Sequence, residues 1–135
     1  MKTIHLKLLV YILTSFSLVS CKKEPYIVNH KNLKGHVIGK ENCNMDESKD
    51  YWLIDFNYGS SNPKVGDTLV LNGITYTNVL KTTKLDPQLK TLNLRVSIDY
   101  TNITINNVPT TSCTVAMPVT YSLKEISIKN QFEIR

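Results

Sequence analysis

Thr68-Leu69-Val70-Leu71-Asn72-Gly73-Ile74-Thr75-Tyr76-Thr77 is the stretch that sets the fold class. Asn72-Gly73 stands between two runs rich in β-branched and aromatic residues. A two-residue type I′ turn needs φ > 0 at both central positions, and this dipeptide accepts that most readily. The stretch therefore predicts a tight antiparallel hairpin. Across such a turn Leu71 faces Ile74 and Leu69 faces Tyr76 on one side of the pleat, the expected core side. Thr68, Val70, Thr75 and Thr77 fall on the other side.

The same period of two continues outward in both directions. Leu92, Leu94, Val96, Ile98 and Tyr100 alternate with Asn93, Arg95, Ser97 and Asp99, which predicts a long half-buried antiparallel strand. Between this strand and the hairpin, Thr82 to Lys90 with Asp86-Pro87 reads as a loop or one short helical turn. Upstream, Asp50 to Asn57 reads as a strand with Trp52, Ile54 and Phe56 on its core face and Tyr51, Leu53 and Asp55 on the other. Leu33 to Cys43 reads as the first strand, its Gly35 and Gly39 permitting coiling or close backbone approach. Tyr58 to Asp67, with Gly59, Pro63 and Gly66, is a loop by composition. Downstream, Asn106-Asn107-Val108-Pro109 makes a turn, and Cys113 to Tyr121 is an apolar alternation that Pro118 confines to a sheet edge. Ile126, Ile128, Phe132 and Ile134 keep one phase to the chain end, with a bulge or bend at Asn130. The expected class is all-β: a small antiparallel barrel or sandwich of six or seven strands.

The first residues have a different character. Lys2 and Lys7 precede an apolar run from Leu8 to Val19, the layout of a signal peptide. The run is too short to cross a ~30 Å hydrocarbon core, which takes ~20 helical residues. It ends in Leu18-Val19-Ser20-Cys21, which resembles the lipobox of the bacterial type II signal peptidase. That resemblance implies cleavage before Cys21 and a diacylglycerol on its sulfur, whereas an ordinary secretory leader would leave the cysteine incidental. Residues 1–20 are then signal peptide, 21–32 a lipidated tether containing Lys22, Lys23, Glu24 and Pro25, and 33–135 the folded domain. Two or three acyl chains hold a protein on a membrane, at about 0.8 kcal/mol per buried methylene.

Composition narrows the partners. The formal charge of the 135-residue chain is +5. From Asn32 onward, however, 11 Lys and Arg face 10 Asp and Glu, a balance that leaves no electrostatic footprint for nucleic acid. Lys22 and Lys23 lie where they would touch anionic headgroups, at about 1 kcal/mol per charge. With Cys21 lipidated, Cys43 and Cys113 remain in a disulfide-permissive compartment, and pairing is expected. Two buried free thiols are the alternative. Metal binding is disfavoured because there is no C-x-x-C spacing and His30 and His36 are the only histidines of the mature chain.

Gly35-x-Val37, Cys43, Trp52-Leu53-Ile54, Gly66-Asp67-Thr68, the strand ending Val96-Ser97-Ile98-Asp99-Tyr100, Cys113 and Ile126-Ser127-Ile128 together resemble small Bacteroidota-type lipoproteins of unknown function. The resemblance implies an OB-like β-barrel with a disulfide. It supplies no catalytic residue.

Candidate chemistry is sparse. Asn44-x-Asp46-x-Ser48-x-Asp50 puts oxygens at alternate positions as a calcium loop does, but Lys49 stands where the sharp-turn glycine belongs. An acidic loop leading into the next strand accounts for it equally. Gly59-Ser60-Ser61-Asn62 lacks the nucleophile-elbow pattern, and no histidine follows His36 to act as a base. Asp67-Thr68-Leu69 resembles the O-glycosylation acceptor of exported Bacteroidota proteins, and a hairpin-entry turn explains it as well. Asn102-Ile103-Thr104 is an N-glycan sequon only in form. No cofactor is expected. The functional expectation is a non-catalytic binding or adaptor module in the cell envelope, anchored to the outer membrane through Cys21. The periplasmic face is favoured, since Lys22-Lys23-Glu24 only partly matches acid-rich surface-export signals. The ligand would be an envelope protein, a peptide or a glycan, contacted by outward-facing Tyr51 and Leu53 together with Tyr58 and its loop. An inhibitor of a cell-wall enzyme and a small hydrolase are the competing classes.

Overall fold

The structure is a computed structural model and describes residues 25–107 and 109–135. The expected leader, Cys21 and the Lys22-Lys23 pair lie outside the described residues. Six strands form one antiparallel sheet: β1 (His30–Lys40), β2 (Trp52–Asp55), β3 (Asp67–Leu71), β4 (Ile74–Thr82), β5 (Arg95–Asn102) and β6 (Ile126–Glu133). Their spatial order is β3-β4-β2-β1-β5-β6. Three short 3-10 turns, at Glu47–Lys49, Gly59–Ser61 and Pro87–Leu89, complete the described secondary structure.

The hairpin that fixed the class forms with the expected register. Leu71 pairs with Ile74 and Leu69 with Tyr76, and Asn72 and Gly73 take φ of 51° and 79° as a primed turn requires. Leu69 is buried, but Ile74 is exposed because it sits at the tip, beyond the reach of the core. β4 continues past Thr77 to Thr82, where it pairs along β2. At Gly66 a Cβ would lie 2.6 Å from the Val79 backbone nitrogen and oxygen. Only glycine permits that crossing of loop and strand.

The central strands carry buried side chains on both faces of the sheet. One core joins Leu33, Val37, Ile54, Phe56, Leu80, Val96, Ile98, Tyr100 and Ile126, capped by Leu85 and Leu89 from the β4–β5 connection. On the opposite face Ile38, Leu53, Leu69, Val79 and Leu123 pack together with Leu71, Tyr76 and Tyr121. Leu123 belongs to a long irregular strap, residues 103–125, that crosses this face. The Cys113 end of the strap is tied to Cys43 by a disulfide that spans 70 residues of sequence.

Several boundaries move for physical reasons. β1 begins at His30, inside the expected tether, because Asn29 N donates to Tyr100 O (2.9 Å) and the Tyr26 hydroxyl donates to Asp99 (2.6 Å). β5 starts only at Arg95, since Asn93 adopts φ 64° and turns the chain, leaving Leu92 outside. Cys113 to Tyr121 is not a strand: its only ladder contact among the described residues is a bridge between Asn42 and Val119. In β6 the phase reverses. Asp99 opposes Asn130 while Tyr100 opposes Ile128, so Lys129 is an extra residue, and the bulge turns Phe132 outward, half exposed.

Closure of the sheet is partial. Above the start of β3, the outer edge of β4 is taken by the end of the strap: Lys81 N donates to Lys124 O (3.0 Å), within a single parallel bridge from Lys81 to Glu125. The two ends of the sheet approach at this bridge without a strand ladder between them. The architecture is all-β and antiparallel, and barrel-like only to that extent.

Candidate functional site

At its far end β1 loses its partner on one side. Val37 exchanges backbone bonds with Leu94 and Asn93, and Asn42 exchanges with Val119 at 2.9 and 2.8 Å. Among the described residues no segment pairs with that edge of β1 between Val37 and Asn42. Glu41 N donates to Tyr51 O on the β2 side and Asn42 N to Val119 O on the other. Alternation along the strand therefore aims the Lys40 N–H and C=O at the open edge.

Along this edge runs a groove of about 440 Å³, lined among others by Gly39, Lys40, Asn42, Trp52, Leu92, Val119 and Tyr121. Leu92 and Val119 form its two rims and are about half exposed. A Cβ at Gly39 would stand 3.0 Å from the Leu71 side chain, so glycine keeps the floor narrow. The Trp52 Nε1 is buried and has no hydrogen-bond partner among the described residues. Lys40 forms an exposed ion pair with Glu47 on one bank.

The wall behind the groove is held by a buried ion pair. Glu41 and Lys81 have side chains 0% and 3% exposed and meet at 3.2 Å. The Lys81 ammonium also donates to Thr110 Oγ1 (3.0 Å) and Tyr121 O (2.8 Å), which uses its three protons. The other Glu41 oxygen accepts from Thr110 (2.8 Å), and Tyr121 N donates to Glu41 Oε1 (2.9 Å). Two strap residues thus satisfy both charges, and the groove-lining Tyr121 is fixed between them. The strap is fastened again where Thr114 N donates to Cys43 O (2.8 Å) and where Lys124 N donates to Asp67 (2.9 Å).

Of the residues expected to make a binding face, Leu53 is not available to one. Leu53 is completely buried, 0% exposed, in the second core. It lies on a central strand that both the hairpin and the strap cover, so the wet face assumed for it does not exist. Tyr51 is half-buried with its ring 4.7 Å from the Lys81 ammonium. Burial, with the carboxylates of Glu125 and Glu41 adding to it, pushes its hydroxyl up to about 12. Tyr58 lies under the Arg95 guanidinium at 5.7 Å. Trp52, placed in the core by alternation, instead packs against the core and lines the groove.

The acidic loop turns one oxygen each of Asp46 and Asp50 onto its own neighbours, while the buried Asp50 Oδ2 has no hydrogen-bond partner among the described residues. Asp46 caps the Glu47–Lys49 turn through Ser48 N, and Asp50 Oδ1 accepts from Cys43 N, Asn44 N and Asn44 Nδ2. Among the described residues no three His, Cys, Asp or Glu side chains are grouped as metal ligands. His30 and His36 lie against the rings of Tyr100 and Tyr76, with ring centroids 5.1 and 6.1 Å apart. No helix among the described residues is long and apolar enough to cross a membrane. Compared with known proteins, the chain matches no family model, no curated protein and no solved structure.

Proposed function

We propose that the protein is a lipid-anchored, non-catalytic binding module of the bacterial cell envelope, and that it takes an extended peptide segment of another envelope protein as an added strand. The observation that carries this reading is the open β1 edge, where the backbone of Lys40 faces an apolar groove between Leu92 and Val119. Strand addition draws affinity from main-chain hydrogen bonds and selectivity from pockets for alternate side chains. Lys40 supplies the former, while Trp52, Tyr121 and the two aliphatic rims supply the latter. The disulfide and the Glu41–Lys81 pair keep the site preformed, which lowers the ordering cost of binding. The lipobox-like Leu18-Val19-Ser20-Cys21 supports a membrane anchor through Cys21, with the outer membrane and its periplasmic face as the proposed address.

Selection from a displayed library of extended peptides tests the binding role. Ligands should weaken by about tenfold or more, roughly 1.4 kcal/mol, in Leu92→Asp and in Lys40→Pro, which removes the edge N–H. Ligands indifferent to both substitutions would place binding elsewhere, and an absence of ligands would favour the inhibitor or hydrolase classes. Cell fractionation of Cys21→Ser tests the anchor, which an unchanged membrane-bound pool would rule out. Protease shaving of intact cells reads the side.

A further inference from the structure

At the opposite end of the sheet from the groove, the start of β1, the end of β5 and the start of β6 come together. Asn29 N donates to Tyr100 O (2.9 Å), Asn102 N to Asn29 Oδ1 (2.9 Å) and Ile103 N to Glu125 O (3.0 Å). Around this junction stand exposed apolar side chains. Ile27 is 70% exposed, Ile103 52% and Ile105 89%, with Tyr26 beside them at 54%. The sheet has no use for them there, because Asn102 and Ile126 already end the last β5–β6 pair.

We infer that this end of the domain, through Ile27, Ile103 and Ile105, docks on the lipid surface to which the chain is anchored. The inference rests on the lipidation of Cys21 proposed above. Only five peptide units separate Cys21 from Tyr26, a reach of at most about 18 Å, and the Tyr26 hydroxyl is bound to Asp99 at 2.6 Å. An anchored domain fastened so close to its lipid cannot stand off from the bilayer, so the end that carries Tyr26 faces it. Lys31 is exposed at this end with its ammonium 5.7 Å from the Tyr26 ring, and Lys22 and Lys23 lie along the tether. The charge suits anionic headgroups, while the isoleucines suit the boundary between headgroup and acyl chain. Since β1 runs 11 residues from His30 to Lys40, this posture turns the peptide groove away from the lipid by up to about 33 Å. Docking would then set the direction in which the binding site is presented.

The test uses the full lipidated protein in vesicles of equimolar phosphatidylcholine and phosphatidylglycerol, with and without bromine on the acyl chains. A reporter indole is introduced by Ile105→Trp, or by Leu92→Trp at the groove end, each in a Trp52→Phe background. Brominated lipid should quench the first indole by about half or more and leave the second nearly unchanged, as insertion of ~5–10 Å implies. Adding Ile103→Asp to the first variant should restore most of its fluorescence. Flotation with the vesicles reads the anchor separately. Protein that floats with neither indole quenched, or with both quenched alike, overturns the docking while leaving the anchor in place. Protein that does not float overturns the anchor and the docking together.

Discussion

Replacing Lys81 with methionine removes one half of an ion pair that is almost wholly withdrawn from water. Glu41 would be left 0% exposed, retaining only the Thr110 hydroxyl at 2.8 Å and the Tyr121 amide at 2.9 Å. Breaking a buried pair in this way costs about 3–5 kcal/mol. Two surviving donors place the loss at the lower end, about 3 kcal/mol, and methionine preserves packing against the Tyr51 ring. Against a total of about 5–15 kcal/mol for a domain, that is a large share. The double variant Glu41→Gln with Lys81→Met removes both charges, so it should recover more than about 1.5 kcal/mol relative to the sum of the single losses. Urea unfolding followed through the fluorescence of Trp52, the chain's one tryptophan, measures all of these on protein made without residues 1–20 and with Cys21→Ser. A Lys81→Met loss below about 1 kcal/mol, or single losses that simply add, would refute the idea that the strap is held by a desolvated charge pair.

Reduction of Cys43–Cys113, which closes 70 residues of separation, should cost ~4 kcal/mol by the chain-entropy relation and lower the melting temperature accordingly. Tyr100→Phe should be neutral or stabilising in calorimetry, because the Tyr100 hydroxyl is buried with no partner among the described residues and its burial already pushes the phenol up. The Tyr26 hydroxyl and then the Asn32 amide hold the Asp99 carboxyl below its usual range. That stabilisation is present above the unfolded value near 3.9 and is lost as pH falls through the lower folded value, so protease nicking near Tyr26 should rise in acid. Asp99→Asn should remove that pH response. Gly66→Ala should destabilise the fold by about 1–3 kcal/mol, since its Cβ has only backbone to push against.

What could be read from the residues was whatever depends on local periodicity. Asn72-Gly73 dictates its own turn, and the alternation through Val96, Ile98 and Tyr100 locates a core strand without knowledge of its neighbours. The pairing of Cys43 with Cys113 followed from compartment and count. Long-range coverage was not legible. Nothing near Leu53 announces that Leu123, seventy residues on, will roof its face, so a buried side chain read as a wet one. Trp52-Leu53-Ile54 without a polar break was the available sign of a strand buried on both sides. The groove has no local sequence signature for a similar reason. It arises where β5 begins late, at Arg95 after the turn at Asn93, and where the strap rejoins β1 only at Val119, two breaks distant from Lys40 in sequence. The phase reversal in β6 depends on one extra residue, Lys129, that alternation alone cannot place.

Amide hydrogen exchange at Lys40 reads strand addition at the β1 edge residue by residue. With its N–H aimed at an edge that no described residue pairs, Lys40 should exchange readily in the free protein, while the amide of Glu41, bound to Tyr51 O at 2.8 Å, is protected. Addition of a selected peptide should slow the Lys40 amide by about tenfold or more and leave Glu41 unchanged, the signature of a strand added at that edge. A peptide that binds while Lys40 exchanges as before, or that protects the loop around Tyr58 instead, would contradict strand addition at β1.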